Sequence, residues 1–477
     1  MTVAWQDASS DDAEPSATAH ARPVARVSLS RVLVALSRAL DLGEGRRPGH
    51  TARTCLIGMR LGETAGLDQG QLASLYHALL LKDLGGSANA TRVAALFGAD
   101  DQVIKARLRL LDWDDRHWDD RRRLLTELWP EIERGRSLAA RLTRLTGLLR
   151  HRDLARELIS LRAERGAALV QALGFPPDVI EAIRSLDERY DGRGHPAGLA
   201  GDAIPMAARI MSLAQALATH LTRYDAGVAA AMAHTRAGRW FDPRLASAAG
   251  ELLGDDGFVA MIEAPDLEQQ VLAIEPAGCA HEIDAHGLDE IARAFADVID
   301  AKSPYLAGYS RRVAHHARVI GARLGFDDER LRALYRAGLL HDLGMLAVSS
   351  RIHEHPGPLN AAQRTEIEQH PLETWETLRR TPGFEDIALL AARHHEKLDG
   401  SGYPWRLVED DLDGPTRVLG VAVVFVAAMT DRAFRRGLAP HEALLILDAQ
   451  RGLRLDAEAV DALASCVEAG EAGAVEG

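Results

Sequence analysis

The chain has 477 residues, which is enough for two or three domains of ordinary size. Apolar residues make up 47% of it and charged residues 26%, as is typical of globular proteins. The 56 basic and 69 acidic residues give a net charge of −13, which disfavours nonspecific binding to nucleic acid.

The cysteines and the apolar segments indicate the cellular compartment of the protein. Its three cysteines, Cys55, Cys279 and Cys466, are scattered and odd in number, which is typical of a reducing cytoplasm. The N-terminus lacks the basic start and apolar run of a signal peptide, and the longest apolar stretch, 418–429, is too short to span a bilayer. We therefore expect a cytoplasmic protein with neither a membrane nor a nucleic acid as its partner.

The first predicted helix follows a polar N-terminal segment. Residues 1–25 are rich in Ala, Ser, Asp and Pro without periodicity, and we interpret them as a disordered tail. Helical periodicity begins near Leu29 and runs through Val32, Leu36 and Leu40. Gly43 is expected to end this helix.

An internal repeat organises the rest of the chain. The segment 75–85 resembles 334–344 at an offset of 259 residues (341 − 82), and 188–196 resembles 396–404 at an offset of 208 (396 − 188). The difference between the offsets predicts an insertion in the first copy, at about 86–160. The sequence thus predicts two copies of one helical domain, 26–275 and 283–470, joined by a linker at 276–282 and followed by a tail at 471–477.

The insertion carries three tryptophans and a basic run, namely Trp113, Trp118, Trp129 and Arg121-Arg122-Arg123. We interpret it as an extra helical hairpin with a solvated charged face. A partner-binding surface is the alternative.

In the second copy, histidines stand at the ends of predicted helices. His341-Asp342 ends one apolar run, His370 precedes a proline, and His394-His395 precedes the loop Asp399-Gly400-Ser401-Gly402-Tyr403-Pro404. Imidazole is the commonest metal ligand in proteins. Four histidines and an aspartate suit iron, manganese or zinc.

These motifs together resemble the HD-GYP branch of the HD phosphohydrolases, over about residues 285–465. The resemblance implies an all-α fold, here two tandem HD-type helical bundles, with bound divalent metals and hydrolysis of cyclic di-GMP. It assigns His341 and Asp342 to both catalysis and metal binding, and His370, His394 and His395 to metal binding.

The second copy departs from the family pattern at three positions. Tyr309 stands where the family has its first metal histidine, 32 residues before the His-Asp pair, and Val423 stands where it has its last metal aspartate. Met345 replaces the lysine that follows the pair. By the resemblance, both ligand losses fall on one metal position, while Asp342, His370, His394 and His395 keep the other. We therefore expect about one Fe, Mn or Zn per chain.

By the same resemblance, Tyr403, Arg432 and Arg435 are candidate substrate-binding residues. Tyr403 offers a ring face for a guanine, and arginine suits a phosphodiester because its planar fork donates two parallel hydrogen bonds. A solvated helix end is the alternative for the two arginines.

The first copy has lost most ligand positions, although His50 and Asp83 remain. The aligned positions hold Lys82, Arg162, Leu186, Asp187 and Gln215. Cationic and apolar side chains cannot hold a dication, so we expect this copy to be non-catalytic. It would dimerise, bind a partner, or only complete the core.

Two functional hypotheses remain open at this stage. One is a slow, metal-dependent phosphodiesterase acting on cyclic di-GMP or a related cyclic dinucleotide. The other is a non-catalytic receptor or scaffold that binds a cyclic dinucleotide or another signalling protein, with a homodimer as one form.

Overall fold

The protein is described here from a computed structural model that covers residues 26–111, 126–134, 136–151, 153–355, 357–432 and 435–470. The two predicted tails, Trp113, Trp118 and the arginine run 121–123 lie outside these residues. Within them the regular secondary structure is almost entirely helical, and the only named strands, β1 (Val27–Ser28) and β2 (Glu282–Ile283), are two residues long. The predicted all-α fold is confirmed.

The helices of the first half are α1 (Leu29–Gly43), α2 (His50–Thr64), α3 (Gln69–Leu81), α4 (Ala90–Phe97), α5 (Asp101–Leu108), α6 (Leu138–Arg150), α7 (Leu154–Ala172), α8 (Pro177–Arg184), α9 (Met206–Leu221), α10 (Ala226–Thr235), α11 (Pro243–Leu253), α12 (Asp256–Glu263) and α13 (Leu267–Ala273). The helices of the second half are α14 (Ala285–Asp300), α15 (Tyr309–Arg323), α16 (Asp328–Leu340), α17 (Ser350–His353), α18 (Ala361–Glu368), α19 (His370–Leu378), α20 (Ala388–Ala392), α21 (Gly414–Met429), α22 (Pro440–Asp448) and α23 (Ala457–Glu468). Short 3₁₀ turns connect some of them, at Gly86–Asn89, Gly201–Ala203, Ala277–Cys279, Pro304–Leu306, Leu343–Ala347 and Glu409–Asp411.

Helix starts recur at the repeat offset of 259 residues. Helices α3 and α16 both begin after an aspartate N-cap, Asp68 and Asp327, whose side chain accepts a hydrogen bond from a backbone N–H of the first turn. Helices α2 and α15 both follow a glycine with positive φ, Gly49 and Gly308. The same local chemistry therefore starts the same helices in both copies.

Close backbone contacts recur as well. A Cβ added to Gly85 would lie 2.0 Å from the carbonyl oxygen of Arg162, and one added to Gly344 would lie 1.9 Å from that of His370. Only glycine fits such an approach. The segment after α3 thus packs against Arg162, and the equivalent segment after α16 packs against His370, which is the equivalent residue of the second copy.

The two copies share one hydrophobic core, because a single cluster of buried residues includes helices from both. Helix α1 packs on the 343–347 turn and on α19, while α14 packs on the 86–89 turn. Strands β1 and β2 pair antiparallel, and Glu282, the last residue of the predicted linker, pairs with Ser28. The domain boundaries remain a prediction.

The predicted insertion forms a small core of its own. Buried apolar side chains of α4, α5, α6 and α7, with Leu128 and Ile132, make a second cluster separate from the main one. Trp129 lies under the guanidinium of Arg141, at 4.2 Å.

None of the helices in the described ranges has both the length and the apolar character that a bilayer span requires. Cys55, Cys279 and Cys466 are buried and form no disulfide bond.

Candidate metal centre

The candidate ligands of the second copy stand at helix ends. Helix α16 ends at Leu340, immediately before His341-Asp342, and α20 ends at Ala392, shortly before His394-His395. His370 lies where α18 gives way to α19, with Pro371 in the first turn of the new helix. Side chains at helix ends are not confined to one helix face, so residues from these three segments can converge on one point.

Four candidate ligands do converge. The ligand atoms of Asp342, His370, His394 and His395 all lie within 4.8 Å of one another. Oδ1 of Asp342 is 3.2 Å from Nε2 of His370 and 3.6 Å from Nε2 of His394. The other carboxylate oxygen, Oδ2, faces Nε2 of His341 at 3.2 Å. Asp342 therefore presents Oδ1 to His370 and His394 and Oδ2 to His341.

The other ring nitrogens of these histidines are held by backbone carbonyls. Nδ1 of His341, His370 and His394 lies 2.8, 2.6 and 2.7 Å from the carbonyl oxygen three residues earlier. In the tautomer that donates Nδ1–H to that carbonyl, Nε2 carries a lone pair and no proton. Nε2 of His370 and Nε2 of His394 then face each other at 3.2 Å. Two facing lone pairs suit a cation between them.

The electrostatics of Asp342, His394 and His395 favour the forms that bind metal. Burial, with the charges of the neighbouring histidines, holds the pKa of His394 and His395 well below its usual value. Burial raises the pKa of Asp342, but His341 and His370 outweigh it and bring that pKa well below its usual range. For His341 the two effects are reversed. Burial lowers its pKa, but the Asp342 carboxylate raises it by more, so the net shift of the His341 pKa is upward. Neutral imidazoles beside a carboxylate are what a divalent metal requires.

The donor set therefore fits a metal ion. Three imidazole nitrogens and one carboxylate oxygen suit zinc, iron or manganese, and the contacts of Nδ1 with backbone carbonyls orient the rings of His370 and His394, as is usual for metal-binding histidines.

The other metal position is filled differently. Tyr309 is 3% exposed, its ring centre lies 5.8 Å from that of His341, and Val423 is 4% exposed. By the family resemblance, this phenol and this isopropyl group stand at the positions of an imidazole and a carboxylate. Only His341 and Oδ2 of Asp342 remain there from the predicted ligand set.

The predicted substrate residues divide in two. Tyr403 stacks on His395 with ring centres 4.6 Å apart, and the guanidinium of Arg432 lies 5.7 Å from the centre of the Tyr309 ring. Tyr403 therefore borders the cluster, and Arg432 lies beside Tyr309. Arg435 instead donates to the carbonyl oxygens of Ala427 and Ala428 at the end of α21, so its side chain caps a helix. Its role against substrate phosphate stays a prediction.

Sequence reasoning missed two polar residues near the cluster. Asp300 is buried and accepts hydrogen bonds from the backbone and hydroxyl of Ser310, and burial raises its pKa to about 7. Its counterpart Asp41 holds Thr51 in the same way at the repeat offset (300 − 41 = 259), and this recurrence was the available signal. The second missed residue, His353, has a buried Nε2 without a partner among the described residues. Burial lowers its pKa to about 3, and Lys302 adds to that shift.

In the first copy, protein cations surround the aspartate. Asp83 is contacted by Lys82, its carboxylate lies 3.1 Å from Arg46, and Arg162 reaches it at 2.8 Å. Arg162 also bonds Asp187 at 2.9 Å. The three cations hold the pKa of Asp83 below its usual range although burial raises it. Leu186 is buried, and Gln215 is 9% exposed. These side chains give a salt-bridge cluster where the second copy has its imidazoles.

Replacing Asp83 by alanine should destabilise the fold without changing the metal content. The change leaves Arg46, Lys82 and Arg162 buried around an empty position, and removing one partner of a buried ion pair costs about 3–5 kcal/mol. Urea unfolding measures the loss. Glu63→Ala, which breaks an exposed pair with Arg60, is the matched control and should change stability little. Loss of metal in Asp83→Ala would contradict a first copy without a metal site.

Comparison with known proteins agrees with this architecture. The model of the HD domain family matches residues 146–245 and 293–459, one stretch in each half of the chain. The chain belongs to the HD domain family. Its motifs and its relatives put it in the HD-GYP branch, the group of cyclic dinucleotide phosphodiesterases.

Two relatives and one solved structure illustrate the similarity. The chain is 34% identical over 436 residues to the 3'3'-cGAMP-specific phosphodiesterase 3 of Vibrio cholerae serotype O1, covering 91% of this chain and 94% of the relative. It is 32% identical over 202 residues to the cyclic di-GMP phosphodiesterase response regulator RpfG of Xanthomonas campestris, covering 42% of this chain and 52% of the relative. A crystal structure of a cyclic GMP-AMP-specific phosphodiesterase from V. cholerae matches with a TM-score of 0.63 and 30% identity, over 93% of this chain and 98% of that one.

Proposed function

We propose that the chain is a metal-dependent phosphodiesterase of cyclic dinucleotides and that its second copy carries the activity. The observation that carries the proposal is the convergence of Asp342, His370, His394 and His395 within 4.8 Å. The full-length similarity to a 3'3'-cGAMP-specific phosphodiesterase supports the substrate class.

In this proposal Asp342 and the three histidines would hold one metal, and His341 contacts the other oxygen of the Asp342 carboxylate. A bound metal would polarise the phosphodiester and lower the pKa of a bound water. The protein's own groups do the positioning. Arg432, beside the Tyr309 ring, donates to a phosphate oxygen, and the free face of Tyr403 receives a base.

Between the two named substrates, 3'3'-cGAMP is the first to test. The relative that shares nearly the whole chain acts on it, whereas the cyclic di-GMP phosphodiesterase RpfG matches less than half of this chain. Cyclic di-GMP is the alternative substrate.

A non-catalytic receptor is the second candidate function. Tyr309 and Val423 favour it because, by the resemblance, they remove two ligands from one metal position. One metal can polarise a phosphate, but it cannot clamp both the attacking and the leaving oxygen as a pair of metals does. A receptor of this kind would bind a cyclic dinucleotide and release it unchanged.

The deciding experiment incubates the purified chain, loaded with Mn²⁺, Fe²⁺ or Zn²⁺, with 3'3'-cGAMP or cyclic di-GMP. Chromatography then measures the linear dinucleotide. Linear product from 3'3'-cGAMP, absent in His394→Ala, supports the phosphodiesterase. Binding of both ligands without product under every metal would replace it with the receptor.

Replacing Arg432 by alanine should raise KM more than it lowers kcat. Loss of a charge-assisted hydrogen bond costs about 1.5–3 kcal/mol, which is about 10–100-fold in KM. Arg451→Ala, which removes an exposed arginine paired with Asp461, is the matched control and should leave both constants unchanged. Equal constants for Arg432→Ala and wild type would remove Arg432 from the substrate site.

A further inference from the structure

Tyr309, the first residue of α15, lies on the His341 side of the metal centre. Its side chain is almost fully buried, and its ring centre lies 5.8 Å from that of His341. The guanidinium carbon of Arg432 lies 5.7 Å from the centre of the same ring. The phenol is therefore a neighbour both of the metal centre and of the arginine proposed to bind phosphate.

The backbone on either side of Tyr309 is held in place by the fold. Gly308, directly before it, has a positive φ of 66° and starts the helix. Ser310, directly after it, donates from its backbone N–H and from its hydroxyl to the buried carboxylate of Asp300. These bonds do not involve the phenol, so the position of the Tyr309 ring does not depend on a hydrogen bond of its own hydroxyl.

The first copy shows which partner is missing around Tyr309. His50 stands at the equivalent position (309 − 259 = 50), and its Nε2 lies 3.4 Å from the hydroxyl of Thr54 in the next turn of α2. The residue equivalent to Thr54 is Val313 (313 − 259 = 54), which is buried and apolar. Helix α15 therefore has no hydroxyl at the place where α2 offers one to its histidine.

The Tyr309 hydroxyl is left as an available donor. Among the residues that the structure describes, no hydrogen bond to this hydroxyl is found, and the side-chain contacts given above are those of the ring. A buried tyrosine usually pairs its hydroxyl. Since a phenol keeps its proton at neutral pH, Tyr309 can donate to an acceptor that enters the site.

The acceptor that fits this surrounding is a phosphodiester. Its non-bridging oxygens carry negative charge, and Arg432 beside the Tyr309 ring brings a cation to the same region. Hydrolysis develops further charge around the phosphorus, and donors that are already in place at those oxygens lower its barrier. By the resemblance, a second metal has this task at the position where Tyr309 stands.

We propose that Tyr309 is a catalytic residue, whose phenol O–H donates a hydrogen bond to a non-bridging phosphate oxygen of the bound cyclic dinucleotide. The inference rests on the proposed phosphodiesterase function and deepens it. The phenol supplies part of the charge stabilisation that the lost metal position no longer gives.

Tyr309→Phe tests the proposal on the Mn²⁺-loaded full chain, because it removes the hydroxyl and keeps the ring beside His341 and Arg432. Loss of a hydrogen bond to a charged acceptor should lower kcat/KM for 3'3'-cGAMP by at least about tenfold, with a fall in kcat. Metal content and melting temperature should stay at the wild-type level. A residue that only packs the core would leave kcat unchanged in this variant.

Binding is measured separately with a methylenephosphonate analogue of 3'3'-cGAMP, in which a CH₂ group replaces the leaving oxygen and both non-bridging oxygens are kept. Titration calorimetry should give a Kd about tenfold higher for Tyr309→Phe than for the wild type. Since this readout needs no hydrolysis, failure of the phosphodiesterase and failure of the Tyr309 contact are distinguishable.

Tyr224→Phe is the matched control, because Tyr224 is 49% exposed in the first copy and loses the same hydroxyl. It should leave kcat, KM and the analogue Kd unchanged. Wild-type kcat/KM and wild-type analogue affinity in Tyr309→Phe would overturn the proposal. So would loss of metal in Tyr309→Phe, or a visible phenolate-to-iron absorption of the Fe-loaded wild type that disappears in it, since either would make Tyr309 a metal ligand.

Discussion

Replacing His394 by alanine is expected to remove the metal and to reduce hydrolysis by at least about 100-fold. Loss of a residue that only hydrogen-bonds to a metal ligand already lowers metal affinity or activity by about 10–100-fold, and His394 is a predicted ligand itself. His394 is fully buried, and its Nε2 lies 3.2 Å from Nε2 of His370 and 3.6 Å from Asp342. The change therefore removes a central donor. It leaves two imidazoles and a carboxylate, too few to close a tetrahedral site with protein ligands.

The control for this prediction is His286→Ala. The His286 side chain is 76% exposed on α14, so its loss should leave metal and hydrolysis at the wild-type level. Circular dichroism would show that His394→Ala remains folded. A folded His394→Ala that retains full metal content would exclude the cluster as the metal centre.

The double change Tyr309→His with Val423→Asp is expected to add a second metal and to accelerate hydrolysis, by about tenfold or more, since two metals clamp both oxygens of the displacement. His341 and Oδ2 of Asp342 already face that position, 3.2 Å apart. Each single change leaves the new metal short of a protein ligand. Neither should suffice alone, because groups that act as a unit are not additive.

Val423→Asp alone has a further expected cost. Val423 is 4% exposed inside α21, so an aspartate there without a metal would be a buried, unpaired charge. Such a charge lowers the free energy of unfolding by on the order of several kcal/mol. Adding Mn²⁺ to the double variant should restore that stability, which a thermal melt measures. A double variant that binds no more metal than the wild type would show that other residues besides Tyr309 and Val423 prevent metal binding at the second metal position.

The sequence was sufficient for the fold class and for the family, because motif spacing and helical periodicity are local properties. The N-cap aspartates of α3 and α16, Asp68 and Asp327, act on the first turn of the helix that follows them, so a short segment is enough to recognise them. Asp300 was missed because one buried aspartate has no motif of its own, and only comparison of the two copies makes it visible.

The remaining differences depend on how side chains turn in space. Arg432 and Arg435 are three residues apart and looked equivalent, yet one borders Tyr309 and the other caps α21. The shared core was also not readable, since periodicity shows that a helix has an apolar face but not which helix covers it. At the end of the predicted linker, Glu282 pairs with Ser28, and no local pattern indicates a contact between segments so far apart in the sequence.

Metal content per chain, measured by elemental analysis on purified protein while 3'3'-cGAMP hydrolysis is followed on the same sample, tests the central claim most directly. The account predicts about one metal per chain, held by three imidazoles and one carboxylate, with hydrolysis that rises and falls with the metal. Two metals per wild-type chain, or hydrolysis by metal-free protein, would contradict it.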